Sequence, residues 1–352
     1  MGVDLSAVGI TLFTSFGCMA VGVVAHRTGV FSADARKGIA TLYAKIVFPT
    51  MVFAGVSAID MKTIDTSLVL VMLASKAALA ALVVVYCSIA LRGQRGADTL
   101  AHAGALAMAA SHSFDVTLGV PLCKLLFPEH VAYVYLNQSV QLVLVNPVLL
   151  VLIETAGGGG GSGRIGAIAY AVVTNPLVVM TALGLTAGQL FPAGLPAAPA
   201  ALAKQVAAAG PFLGFLTLGF ALATLGATAP SDLGLSAVLC AAKLVIMPLL
   251  YTAFAGRLGC TAAPAYLDFL GTLPASASVY SLTLTKQLSP TVVGPLVPAS
   301  MLLCVALCLL PLWPAAMDAQ ALPVLRAIIA VAGVLGLRAA AGGGHAPKAK
   351  TS

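Results

Sequence analysis

Charge is what this sequence has little of. Asp, Glu, Lys and Arg make up 8% of its 352 residues, 18 basic and 11 acidic, where an ordinary soluble domain carries about 25%. So few charges cannot cover a water-facing surface of this size, which excludes a soluble enzyme or binding module. In their place stand 60% hydrophobic residues and a mean hydropathy of +1.04, with windows of about 20 apolar residues recurring from end to end. The fold class expected is an all-α polytopic membrane protein.

Other absences narrow the chemistry. The seven cysteines, Cys18, Cys87, Cys123, Cys240, Cys260, Cys304 and Cys308, form no C-x-x-C pair and mostly sit in apolar segments, so they read as small packing residues rather than a disulfide or metal framework. The five histidines show no metal-site spacing, and no metal or cofactor is expected. The net charge of +7 is not clustered with aromatics as nucleic-acid binding requires. No G-x-x-x-x-G-K-[ST] loop is present, so no nucleotide drives the protein, and no G-x-G-D pair, G-x-S-x-G or H-E-x-x-H motif marks an enzyme. The first apolar run follows MGVDLSAVG without a basic n-region or an A-x-A site, so it is expected to be a span and not a cleaved signal.

Apolar windows bounded by Pro, Gly or charge place ten spans at roughly 6–26, 38–58, 68–91, 100–123, 132–153, 166–190, 199–224, 234–256, 265–286 and 291–315. The run GGGGGSGR after Glu154 reads as a flexible tether. The expected organisation is a five-helix repeat over 1–155, a linker over 156–165, a second five-helix repeat over 166–317, and an extra apolar stretch with a tail over 318–352. That stretch, 321–341, is interrupted by Arg326 and either crosses the membrane or lies on it. Basic residues favour an N-terminus outside: Arg27, Arg36, Lys37, Arg92, Arg95, Arg164 and Lys286 then fall in cytoplasmic loops, against chiefly Lys62 and Arg257 opposite.

The halves resemble each other in their awkward residues. Pro49 of span two answers Pro211 of span seven, and Lys76 of span three answers Lys243 of span eight. Five is odd, so the halves have opposite orientations, the pattern of an inverted repeat with a site at the midplane between broken helices. A proline in a span frees backbone that hydrocarbon cannot satisfy. Span four is expected to break at Gly119-Val120-Pro121, and span nine at Pro274, ahead of Ser276 and Ser278.

An acid at the bilayer centre costs about 2.5–3.5 kcal/mol and marks function by default. Asp115, with Ser111 and Ser113 beside it, is therefore the leading site residue; its structural alternative is an ion pair with Lys76 or Lys243. Asn137, Gln138 and Gln141 must face the bundle, as ligands or as interhelical glue. The candidate substrate site is Asp115, Ser113, Gly119, Pro121, Lys76, Lys243, Pro274, Ser276, Ser278, Asn137 and Gln141. Lys45 and Lys204 are assigned to snorkelling at span ends, and the Asn146-Pro147 and Asn175-Pro176 pairs to kinks.

The runs VFPTMVF, LGVPL, TNPLVVMTALGL, GPFLGFLTLGFAL, AAKLVIMPLL and GTLPASASVYSL, in this order over residues 5–316, resemble the auxin efflux carrier (PIN-like) family. Within it, SHSFDVTLGVPLCKLLFPEHVAYVYLNQSVQLVLVNP and FLGTLPASASVYSL are similar to the PIN-like transporter domain of the lysosomal cholesterol-signalling branch. The resemblance implies two inverted five-helix repeats, helices four and nine crossing at their breaks, a dimerising scaffold of helices 1, 2, 6 and 7, and elevator-like movement of the rest. Two positions depart from auxin exporters: Phe114 stands where their helix-four Asn falls, and Val279 where the second helix-nine proline falls. In the cholesterol-signalling branch that second proline falls at Ala277. Asp115, six residues before Pro121, matches that branch, and it would repel an anion unless Lys76 or Lys243 offsets it or it carries a proton.

Two functions are expected to compete. One is a secondary transporter of a small organic anion or amphipathic metabolite, with Asp115 as a proton carrier; identical rates across a pH gradient in Asp115→Asn would remove that proton role. The other is a non-transporting sterol or metabolite sensor. The partners expected are the bilayer, a small organic solute or sterol and a second copy of the chain, with no nucleic acid; the membrane expected is lysosomal, vacuolar or another endomembrane rather than the plasma membrane.

Overall fold

The computed structural model describes residues 5–60, 62–92, 98–155, 166, 169–170, 172–224, 226, 228–310 and 321–342. The expected linker at 156–165 and the tail from 343 lie outside the described residues. Among the described residues the structure is all helical, apart from one isolated β-bridge.

In chain order the helices are α1 (Leu5–Arg27), α2 (Ala33–Ser57), α3 (Thr66–Ala90), α4 (Thr99–Ser111), α5 (Val120–Leu126), α6 (Pro128–Glu154), α7 (Pro176–Leu190), α8 (Ala197–Leu222), α9 (Pro230–Leu258), α10 (Pro264–Thr272), α11 (Ala277–Lys286), α12 (Pro290–Leu309) and α13 (Ala321–Gly342). Eight of the described helices, α1, α2, α3, α6, α8, α9, α12 and α13, are long and apolar enough to cross a bilayer. Their ends carry ordinary punctuation. Ser32 and Asp65 cap α2 and α3 through the amides of Ala35 and Ser67. Asn175 caps α7 through the Leu177 amide, so it starts a helix rather than kinking one. Proline opens α7, α9, α10 and α12, where its missing N–H costs no hydrogen bond.

Helix α2 is wide at Tyr43–Val47, α6 at Gln141–Val145 and α9 at Ala242–Ile246, and a fourth π turn, Asp115–Gly119, leads into α5. Each ends two residues before a proline: Pro49, Pro147, Pro248 and Pro121. A proline ring collides with the carbonyl four residues back and offers it no N–H. Widening the preceding turn to an i→i+5 bond, such as Val120 N–H to the Asp115 carbonyl, makes room for the ring without ending the helix. Such turns concentrate at functional sites, and these four carry Lys45, Asp115, Gln141 and Lys243.

The interruption of the fourth span is therefore not at Gly119-Val120-Pro121, as its proline led us to expect. The chain leaves helical geometry at His112–Phe114, and Pro121 is absorbed by the π turn. Asp115 follows the break instead of preceding it. The second interruption lies where expected, at Leu273–Ser276 between α10 and α11.

Helices α1 and α8 pack without side chains between them: a methyl group at Gly22 would collide with the Leu216 carbonyl, and one at Gly219 with that of Met19. Helix α13 docks on α9 in the same way at Gly336 and Gly234, and Arg326 reaches both carboxylate oxygens of Asp268 on α10, at 2.5 and 2.6 Å. The arginine that interrupts the last apolar stretch is thus paired inside the bundle.

Candidate functional site

The two interruptions meet. Phe114 N–H donates to the Pro274 carbonyl at 2.9 Å, and Ser276 N–H to the His112 carbonyl at 3.2 Å, an antiparallel bridge of Ser113 with Ala275. Each break supplies the partners that the other lost, which backbone at membrane depth requires. The Ala275 amide donates to Ser300 Oγ of α12 at 3.0 Å. The Gln141 side chain completes the arrangement: its Oε1 accepts from Ser113 N–H at 2.7 Å, and its Nε2 donates to the Ser113 carbonyl at 3.2 Å.

Around this crossing lies a buried polar network. Lys76 of α3 donates to Gln141 Oε1 at 2.9 Å and to Ser113 Oγ at 3.2 Å, and stands 3.8 Å from Asp115 Oδ2. Lys243 of α9 donates to the same Ser113 Oγ at 2.6 Å. Asn137 donates to Asp115 Oδ1 at 3.0 Å and accepts from the Tyr251 hydroxyl at 2.8 Å. Lys76, Lys243, Asp115 and Asn137 are all wholly buried. His112, also buried, shares a hydrogen bond of 3.2 Å between its Nδ1 and the Ser111 hydroxyl. Two atoms of the network keep no hydrogen-bond partner: Asp115 Oδ2 and His112 Nε2.

Above the crossing a cavity of about 390 Å³ extends along α2 from Phe48 back to Lys37. Ser113, Asp115, Ser276 and Ser278 lie at its crossing end, and Tyr43, Phe48 and Phe114 supply aromatic wall. Phe114 packs edge-on to Phe215 of α8 at 5.9 Å. Tyr43 and Thr117 share a hydroxyl hydrogen bond of 2.8 Å across the cavity wall, and Ser276 and Ser278 share another of 2.8 Å.

Of the eleven candidates, Ser113, Asp115, Ser276 and Ser278 line the cavity, and Lys76, Lys243, Asn137 and Gln141 back it from beneath. Pro274 holds the bridge through its carbonyl. Gly119 faces Leu273 and Val134, and Pro121 lies two residues beyond the π segment; neither lines the cavity. Sequence reasoning missed Tyr43, Thr117, Thr217 and the two basic lining residues, Lys37 and Lys45. For Tyr43 a signal existed: it occupies the turn before Pro49, as Asp115 does before Pro121.

The fold and site define a multi-pass helical membrane protein built on a crossing of two interrupted helices. Residues 8–169 match the family described as "Membrane transport protein", so a little under half of the chain is similar to that family. The chain is also similar to the "Lysosomal cholesterol signaling protein" of Mus musculus, 24% identical over 185 residues, which are 49% of this chain and 21% of that protein. The chain thus aligns with about a fifth of that relative's length.

Proposed function

We propose that the protein is a secondary transporter of a small organic solute, an organic anion or amphipathic metabolite, working by alternating access. The observation that carries this reading is the cavity of about 390 Å³ ending on the backbone bridge of two interrupted helices. Ligand pockets run from about 300 to 1,000 Å³ with a few convergent polar groups, and here the hydroxyls of Ser113, Ser276 and Ser278 converge at the crossing end beside aromatic wall, with Lys37 and Lys45 among the remaining lining residues. The match of residues 8–169 to a family of membrane transport proteins supports the same class.

In this reading α1 to α6 and α7 to α12 are two inverted five-helix repeats, 1–155 and 166–317, joined by the glycine-rich linker. Helices α1, α2, α7 and α8 form a scaffold that pairs with a second copy, and the crossing helices move against it as an elevator. The cavity opens on the side that carries Lys37, which the basic-residue bias assigns to the cytosol. Lysosomal or vacuolar residence is part of the proposal.

A sterol or metabolite sensor is the second reading, favoured by the name of the relative. Ligand-induced stabilisation of the purified protein separates the two, using organic acids, indole acetate among them, and sterols. At about 100 times its dissociation constant a ligand stabilises by ~2.7 kcal/mol. Stabilisation by an acid, lost in Asp115→Ala and joined by counterflow in proteoliposomes, is expected. A sterol response untouched by that substitution, without counterflow, would establish the sensor instead.

A further inference from the structure

We propose that a second pocket, walled by α5, α9, α10, α12 and α13, holds a membrane lipid by its head: a single-chain, uncharged amphiphile that presents a hydroxyl group, such as a long-chain alcohol or a monoacylglycerol. The pocket is separate from the crossing, and its occupant is the same whether the protein transports or senses.

This pocket, of about 570 Å³, belongs to α10, which runs into the bridge, whereas the first cavity is lined by α11, which leaves it. The two therefore lie on opposite sides of the break at Leu273–Ser276. One face of α10 forms the floor, with Ala265, Asp268, Phe269 and Thr272 in line at the three- and four-residue spacing of a helix face. With Pro264 the strip covers eight residues of rise, about 12 Å. Leu126 and Phe127 at the end of α5 and Leu322 of α13 add apolar wall. A strip of this length and one helix face wide matches an alkyl chain.

The polar end selects the head. Its lining groups are Thr252, Asp268, Thr272 and Cys308. Thr252 donates to the Pro248 carbonyl at 3.1 Å, and Cys308 Sγ faces Cys304 Sγ at 4.0 Å, so both are occupied within their own helices. Asp268 and Thr272 are not. Both Asp268 oxygens accept from a single nitrogen, Arg326 Nη2, at 2.5 and 2.6 Å, and that nitrogen also reaches Thr272 Oγ1 at 3.3 Å. An ionised carboxylate has about four lone-pair sites, so Asp268 keeps room for a donor. The Thr272 hydroxyl keeps its proton, with no acceptor for it among the described residues, and Arg326 Nε is buried without one.

A carboxylate with lone pairs to fill, beside a hydroxyl with a proton to give, calls for a group that both donates and accepts. A lipid hydroxyl does so, with one proton and two lone pairs. A carboxylate head brings a second negative charge to Asp268 and no proton to share with it. An ammonium head has three donors and no lone pair; it leaves Thr272 unanswered and adds a charge to a pair that Arg326 already neutralises, which is costly at membrane depth. Helix α13 completes the site, because it supplies both Arg326 and the Leu322 wall.

The test measures binding of radiolabelled 1-tetradecanol to the purified full chain in phosphatidylcholine nanodiscs, with empty discs as background. Saturable binding of one alcohol per chain is expected. Unlabelled tetradecanol and monomyristoylglycerol should displace it at similar concentrations, tetradecanoate and tetradecylamine only at concentrations about tenfold higher or more. Thr272→Val, of nearly the same shape without the hydroxyl, should weaken the alcohol about 2- to 10-fold, the worth of one hydrogen bond between neutral groups, and Thr272→Ser should restore it. Ala265→Trp, which fills the strip from an exposed position, should abolish binding. A tetradecanol with a diazirine in its chain gives a readout that needs no variant to fold: in wild type it should label peptides of α10, the end of α5 or the start of α13. Absence of saturable binding, displacement by the acid or the amine as readily as by the alcohol, equal affinity in wild type and Thr272→Val, or labelling confined to other helices overturns the assignment. Cholesterol displacing tetradecanol better than the chain alcohols do would give the pocket to a rigid ring system and overturn the single-chain occupant.

Discussion

At the scale of single residues, the site is held by charges and amides that have no solvent to fall back on. Lys76 stands 3.8 Å from Asp115 with both side chains inaccessible. Removing one partner of such a pair leaves the other uncompensated, at about 3–5 kcal/mol, whereas removing both is far cheaper. Lys76→Met is therefore expected to lower the thermal unfolding temperature in detergent sharply, and Lys76→Met/Asp115→Asn to recover part of the loss. Strict additivity in that double-mutant cycle would mean that the two side chains do not interact. Gln141 makes a different prediction, because it serves the main chain. Gln141→Leu strands both the N–H and the carbonyl of Ser113, each at about 1–3 kcal/mol. Asn137→Leu should destabilise as well, because it leaves the wholly buried Asp115 carboxylate without a hydrogen bond and the Tyr251 hydroxyl without its acceptor; an unchanged denaturation midpoint in either variant would mean that its bonds contribute nothing.

At the scale of elements, helix ends and widened turns decide where these residues stand. Asp65 caps α3, accepting from the Ser67 amide at 2.8 Å and the Ser67 hydroxyl at 2.5 Å. Those bonds hold its carboxyl below the usual carboxylate range. A depressed pKa in the folded state contributes stability that is present above the unfolded value, about 3.9, and is lost as pH falls through the folded value. Asp65→Ala should thus cost about 1 kcal/mol near neutrality, and the gap to wild type should close in acid, below about pH 4; a gap constant down to pH 2 would rule out the cap. Pro121→Ala tests the π turn. With an N–H restored at 121 the turn can tighten to α geometry, which rotates Thr117 away from Tyr43 by about 100°. Amide exchange over 115–121 should slow while solute binding weakens. The elements were legible in the sequence because apolar length and proline spacing are local properties, and the spans expected at 6–26 and 68–91 match α1 and α3 closely. The break of span four was misplaced, because whether a proline ends a helix or is absorbed by a wider turn depends on tertiary partners, here the backbone of residues 274–276. The cluster of Asp115, Lys76 and Lys243 could be read from the scarcity of charge. The lining role of Lys45 could not, because a lysine that snorkels to the membrane surface and one that lines a cavity look alike until the helix has a direction.

At the scale of the whole molecule, transport of the proposed kind needs the crossing helices to slide against α2 and α8, and the seam between the two groups is where this can be tested. At Gly55 of α2 even a single added carbon would run into the Tyr135 ring of α6, so the Tyr135 ring of the proposed moving body lies directly on the backbone of the proposed scaffold there. Neither residue lines the cavity, so a link at this point cannot act by plugging it. Gly55→Cys/Tyr135→Cys, joined by a short bifunctional thiol reagent, should bind solute with unchanged affinity yet lose counterflow, and reduction should return it. Tyr135→Cys alone, treated with the same reagent, should keep its transport, since it adds nothing at Gly55. Binding and transport part company only if the two bodies move past each other. A cross-linked protein that still exchanges solute at the full rate would mean that access alternates by local gating around the cavity, with the seam at Gly55 and Tyr135 at rest.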